Sequence, residues 1–205
     1  MPAANAATAT LWDQFPEGAA RELVRAGFEE FATRGFAATT TRDIARAAGL
    51  SPAGLYVHYP SKAALLLVLS RAGHEAAAAV LFDALAVDLP VVERLAQAIG
   101  RFAAWHAEHH RIARVVQLEL TSLDEDGLAT VAALRRRIQG AVADEIRAAV
   151  AAGDTSVPDV AGTARACMSL CIDVCRWYDP AGTQTPDDIA GLYTELVRRW
   201  LVGGR

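Results

Sequence analysis

GLSPAGLYVHYPSK, residues 49–62, is the stretch that decides how this chain is read. Ser51, Pro52, Ala53 and Gly54 carry almost no side-chain bulk. Leu55, Tyr56, His58 and Tyr59 then crowd into five positions, and the stretch closes on Lys62. Its punctuation is mechanical. Gly49 tolerates the left-handed backbone that ends a helix. Ser51 can cap the next helix, and Pro52 then occupies the first helical position, where a missing N–H costs nothing. Pro60 stops that helix near Tyr59. Ser61 can cap another helix through Leu65 and Leu69 toward Leu85. The stretch therefore predicts a short helix between a glycine turn and a long helix.

Upstream, residues 17–34 place Leu23, Phe28 and Phe31 on one side and charges on the other, an amphipathic helix ended by Gly35. Thr41 is expected to cap a short helix over 42–48, with Ile44, Ala45 and Ala48 on one side. Downstream, breaks at 88–90, around His109, at 124–127, 153–154 and 179–182 leave helices over about 91–107, 112–122, 128–152, 157–178 and 185–202. No strand pattern or internal repeat appears. The reading is all-α, with about nine helices.

Gly and Pro are sparse and clustered, which suits long helices with short connections. Apolar runs such as AALLLVL are interrupted by charges, so no membrane span is expected. The opening MPAANAATATLWDQFP has neither a basic nor a long apolar segment; it is read as a disordered tail over 1–16 rather than a secretory signal, and the protein as cytoplasmic. The formal net charge of −4 argues against a nucleic-acid binder, but its distribution does not. Between 34 and 62, Arg34, Arg42, Arg46 and Lys62 face Asp43 alone, while residues 63–205 hold 14 basic and 18 acidic side chains. Lys62 is the single lysine; every other basic residue is Arg.

Helix, glycine turn, short helix is the helix-turn-helix pattern, whose second helix enters the DNA major groove by its N-terminal residues. Ser51, Pro52, Ala53 and Gly54 are thin enough to let the backbone approach, and Tyr56 and His58 can reach phosphates or bases. Leu55 and Tyr59 point back toward Phe28, Phe31, Ile44 and Ala48, although Tyr59 also sits within the candidate DNA-contacting set. Ser61 and Lys62 stand at a helix N-terminus, where free N–H groups and an ammonium favour a phosphate. Thr39, Thr41 and Arg42 hold the same position before the preceding helix.

The run FxxxGFxxTTTRDIARAAGLSPAGLYVHYPSKAAL, from Phe31 to Leu65, resembles the N-terminal domain of the TetR family of repressors. The shared features are the Thr before the second helix, the IAxxAG run, the GLYxHY aromatics and the SK before a leucine-rich helix. Two departures are Tyr59, where Phe is commoner, and Ala64, where a Glu would close a capping box. The resemblance implies a DNA-binding domain over 17–62 and an effector-binding and dimerisation domain over 63–205. It also implies a homodimer on a palindromic operator of double-stranded DNA, with no cofactor and no membrane.

On that resemblance, Leu170, Val174, Leu192, Leu196, Val197 and Trp200 are candidates for a two-fold interface; otherwise they fill an internal core. HHRIARVVQLEL, LRRRIQ and SLCIDVCRWYDP look like the subgroup controlling lipid or steroid breakdown, whose effectors are acyl-CoA thioesters. Trp105, Val116, Leu120, Ile172 and Trp177 could line an apolar cavity for such a tail, with His106 beside Trp105. Asp173 and Arg176, three apart in an apolar helix, either pair with each other or anchor the effector.

Two other signals point elsewhere. Cys167, Cys171 and Cys175 recur every four residues and suggest a thiol or metal sensor, but successive members rise about 6 Å along a helix and do not meet at one point. His106 and His110 have metal-ligand spacing, the basis of a reading as a helical metal-dependent enzyme, yet the sequence offers no third ligand. No phosphate loop or nucleophile elbow supports catalysis, so no metal and no enzyme activity are expected.

Overall fold

A computed structural model describes residues 11–12 and 14–202. Among these, nine α-helices and one 3-10 turn occur and no strand. The helices are α1 (Ala19–Ala38), α2 (Thr41–Ala47), α3 (Pro52–His58), α4 (Lys62–Leu85), α5 (Val91–Glu108), α6 (His110–Leu118), α7 (Glu125–Ala152), α8 (Val160–Trp177) and α9 (Pro186–Val202). The 3-10 turn, Leu120–Ser122, follows α6. Contacts divide the chain into two units. The first runs to Ala76 and also takes Arg111–Leu134; the second takes Ala77–His110 and everything from Arg135. Helices α4 and α7 each contribute to both.

In the first unit the short helices are made by their ends. Thr40, not Thr41, caps α2: its hydroxyl accepts from the Asp43 N–H at 3.2 Å, and Asp43 Oδ2 accepts from the Thr40 N–H at 3.1 Å. The carboxylate three residues on closes a capping box, which selects Thr40 over its neighbour. Those hydrogen bonds, led by the Thr40 hydroxyl, hold Asp43 below the usual carboxylate range. Ser51 Oγ accepts from the Gly54 N–H at 3.1 Å with Pro52 at the first helical position, and Ser61 Oγ accepts from the Ala64 N–H at 3.0 Å. Gly49 turns the chain at φ +70°. Gly35, at φ +78°, breaks the helical path of α1, and the chain regains helical geometry to Ala38.

Leu23, Phe28, Phe31, Ile44, Leu55, Leu65 and Leu69 form the core of this unit. Gly27 lets α4 approach α1: a Cβ there would lie 2.3 Å from Leu65 Cδ2. Residues 1–10 and 13 of the expected tail lie outside the described residues. Leu11 and Trp12, inside that segment, are packed instead. Leu11 is buried and Trp12 tilts against Phe28, since both are large apolar groups with a core in reach.

The second unit is built on longer contacts. α5 lies on α9, with Gly100 pressed against Ala190 and Thr194; α8 covers α5, bringing Cys171 Sγ to Ile99 O at 3.7 Å. Arg198 forks onto Glu93 at 2.9 and 3.0 Å, and Arg94 reaches Glu145 at 2.7 and 3.0 Å. Helix α4 corrects one expectation. It is long and apolar enough to cross a bilayer, with a mean hydropathy of 1.5, but 61% of that window is buried inside the protein. Arg71 and Glu75, which pair at 3.4 Å, lie within that stretch, and most of its apolar surface is core.

Candidate nucleic-acid interface

Helix α3 buries Leu55 and turns the rest of its length outward. Ser51, Pro52, Ala53 and His58 are exposed, Gly54 is half-exposed, and Tyr56 is 54% exposed. Val57, which sequence reasoning passed over, is the most open large apolar group at 79%. Its place four residues after Ala53 was the available signal, since that spacing shares one helical face. Arg42 and Arg46 are exposed on α2, and Arg46 donates to Asp43 at 2.6 Å. The Thr41 and Tyr56 hydroxyls lie 3.1 Å apart and join α2 to α3 across the turn. The result is a thin outward nose, flanked by arginines and braced by two caps.

Three candidates turn away from that face. Thr39 is buried, and its hydroxyl donates to Gly35 O at 2.8 Å; it ties the α1 break rather than presenting a donor to a ligand. Tyr59 is half-buried and donates to Ala20 O at 3.2 Å; loss of solvent raises its pKa. Helical geometry sets it near Leu55, on the inner side. Lys62 donates to Phe36 O at 2.6 Å and Thr39 O at 2.8 Å, and lies 4.2 Å from the Phe36 ring centroid. An ammonium beside the last carbonyls of a helix opposes the negative end of its dipole. In this structure Lys62 is therefore a clamp on α1 rather than a cation held out for phosphate.

The effector candidates are divided between the two units. Val116 is buried and Leu120 half-buried in the first unit. In the second, Trp105 and His106 are buried and Ile172 is half-buried. His106 Nδ1 is 2.8 Å from Phe102 O; a carbonyl only accepts, so that nitrogen carries the proton. Asp173, Arg176 and Trp177 face outward from α8, with Asp173 and Arg176 paired at 3.5 Å in the open. Helical phase puts them opposite the buried Cys171–Val174–Cys175 side. Arg111 forks onto Glu29 at 2.7 and 3.2 Å.

Leu170, Leu192, Leu196 and Trp200 are exposed, on the outer sides of α8 and α9. Tyr193 donates to Leu170 O at 3.1 Å and ties the two helices together. Val174 and Val197, proposed with them, are buried within the protomer and fill its core. The three cysteines are buried. Burial pushes Cys167 up to about 11 and holds Cys171 well above the ordinary thiol value, so both are held as thiols. His110 bonds Ala107 O at 2.9 Å and packs on Tyr178. Among the described residues no group of three or more His, Cys, Asp or Glu is placed to hold a metal ion.

Residues 23–69 match the family model described as bacterial regulatory proteins, tetR family. Residues 88–201 match the tetracyclin repressor-like C-terminal domain. No curated protein matches the chain. Among solved structures, a bacterial regulatory protein in the tetR family from Rhodococcus RHA1 is 36% identical, with a TM-score of 0.86; the match covers 91% of this chain and 98% of that one. The ketosteroid transcriptional regulator KstR2 of Mycobacterium tuberculosis is 25% identical, with a TM-score of 0.79 over 91% and 96% of the two chains. AibR, solved with isovaleryl coenzyme A and operator DNA, shares the fold at 20% identity and a TM-score of 0.78, over 87% and 97%.

Proposed function

The chain belongs to the TetR family of bacterial regulatory proteins, and from that premise we propose that it is a ligand-responsive repressor acting in the cytoplasm as a homodimer on a palindromic operator. One observation carries the DNA-binding part. The outward side of α3 is thin at Ser51–Gly54 and apolar at Val57, with arginines only on its flank. Such a surface admits close backbone approach, lets Val57 meet a thymine methyl group, and leaves Thr41, Tyr56, His58, Arg42 and Arg46 for phosphates and base edges. The functional division stays at 17–62 for DNA and 63–205 for effector and partner.

Dimerisation is proposed through the exposed stripes Leu170 with Trp177 on α8 and Leu192, Leu196 and Trp200 on α9. Large apolar groups at these spacings are the surface that a two-fold helical interface covers. Two-fold symmetry would set the α3 helices about 34–36 Å apart, or a multiple of that, to match half-sites on one face of the duplex. The effector is proposed to be a small hydrophobic molecule or an acyl-CoA thioester. Support comes from the ketosteroid regulator and from AibR, whose crystals hold isovaleryl coenzyme A. Within the second unit, Trp105, His106 and Ile172 are the candidates for the pocket's apolar lining.

Selection from a random duplex pool tests this reading. It should return an inverted repeat bound by a dimer, and acyl-CoA thioesters should lower the bound fraction. A pool that stays random would refute the DNA reading. A retained inverted repeat that no thioester or steroid acid affects would remove the effector class alone. Effector and operator must weaken each other by the same factor, since coupling of binding is reciprocal.

A further inference from the structure

The turn that ends α1 is gripped by two oppositely charged groups that play no part in the DNA-facing surface. After the break at Gly35, the Phe36 N–H donates to Glu119 Oε1 at 3.0 Å, a bond that spans 83 residues of sequence. The carbonyl of the same residue accepts from Lys62 Nζ at 2.6 Å. Thr39 ties back to Gly35 O at 2.8 Å, and the next residue is the Thr40 cap of α2. Glu119 lies directly after α6, half-buried and flush with the turn: a Cβ on Gly35 would sit 3.4 Å from Oε1. Charged hydrogen bonds to backbone are stronger and more directional than neutral ones. This one joins a segment from the middle of the chain to the entry of the helix-turn-helix. All of these residues belong to the first unit.

We propose that Glu119 is a positioning residue for DNA binding. Its carboxylate holds the Phe36 amide, fixes where α2 begins, and through the α2–α3 turn sets the angle at which α3 is presented. Residues 111–122 thereby gain a direct hold on the DNA-facing pair, and a shift of that segment would release it. The inference rests on the DNA-binding reading above.

The test uses the full-length protein and the inverted repeat that it selects. Glu119→Leu removes the acceptor at similar size, and Glu119→Gln keeps a carbonyl oxygen. E119L should lose about tenfold in affinity for the selected repeat and much less for random DNA, with the melting temperature within about 4 °C of wild type. E119Q should stay within about twofold. In wild type, hydrogen exchange at the Phe36 amide should be slow. Unchanged binding by E119L, equal losses on selected and random DNA, equal losses in E119L and E119Q, or a fast-exchanging Phe36 amide would each overturn the proposal while DNA binding itself stands. If E119L does not fold, the wild-type exchange rate and E119Q decide. A wild-type protein that selects no sequence brings down the DNA reading, and this inference with it.

Discussion

The DNA-facing helices and the α5–α9 pair are stabilised in opposite ways. Helices α2 and α3 have seven residues each, below the length at which a helix stands alone, and are held by caps, a glycine turn and single buried anchors such as Ile44 and Leu55. Helices α5 and α9 have 18 and 17 residues and are held by close backbone approach at Gly100, flanked by the Glu93–Arg198 fork. Capped short elements present residues outward from a defined frame and tolerate surface change. Tightly approached helices tolerate almost nothing at the contact. Function should therefore be separable from stability in the first region and not in the second.

The strongest way to break this contrast is Gly54→Glu. A Cβ at Gly54 meets nothing closer than Ser51 Oγ at 3.5 Å, so folding should survive. A carboxylate set against the phosphates should weaken operator binding by about two orders of magnitude in a mobility-shift titration. Retained binding would mean that α3 is not the contacting helix.

A second pair of variants compares the two glycine contacts. The Cβ of Gly100→Ala would lie 2.1 Å from Thr194 Oγ1 and 2.5 Å from the backbone Ala190 O, and should cost about 2–3 kcal/mol in urea unfolding. The Cβ of Gly27→Ala would meet only the end of the Leu65 side chain, which can move; helix propensity offsets part of the clash, leaving about 1 kcal/mol or less. Equal costs would erase the distinction between the regions.

Lys62→Ala sharpens it further. If Lys62 clamps α1, stability should fall by about 1 kcal/mol and the salt slope of DNA binding should not change. A slope reduced by about one would restore the phosphate role.

The smallest effect concerns the thiols. The raised pKa of Cys167 and Cys171 favours the protonated form in the folded state, so that stability is fully present below the unfolded pKa. It is lost as pH rises from there toward about 11, the folded value at Cys167. At pH 8 iodoacetamide should label none of the three cysteines until the protein is unfolded, as read by intact mass.

What could be read in advance follows the same division. Ser51, Pro52, Gly49 and Ser61 each act within a few residues of themselves, so local chemistry revealed their roles. Three threonines stand in a row, and only the carboxylate of Asp43 chooses Thr40 over Thr41 as the cap. Thr39 and Lys62 were assigned outward because residue type says what a side chain can bind, not which carbonyls lie within its reach. On α8 the helix itself was plain, but its phase against α5 and α9 was not. Sequence alone therefore leaves Asp173 and Arg176 open between a mutual pair and an effector anchor, and Val174 and Val197 open between an interface and a core. The hold of Glu119 on Phe36 spans too much sequence for any local pattern to announce it.

One last consequence concerns Lys62. It carries the sole side-chain amine of the sequence, and that amine is spent on two carbonyls and an aromatic face. Amine-selective acylating reagents thus meet a single side-chain amine, placed where α1 gives way to the DNA-facing helices. The rate at which that one nitrogen takes up an acyl label would report how often it lets go of those two carbonyls, with no engineered probe.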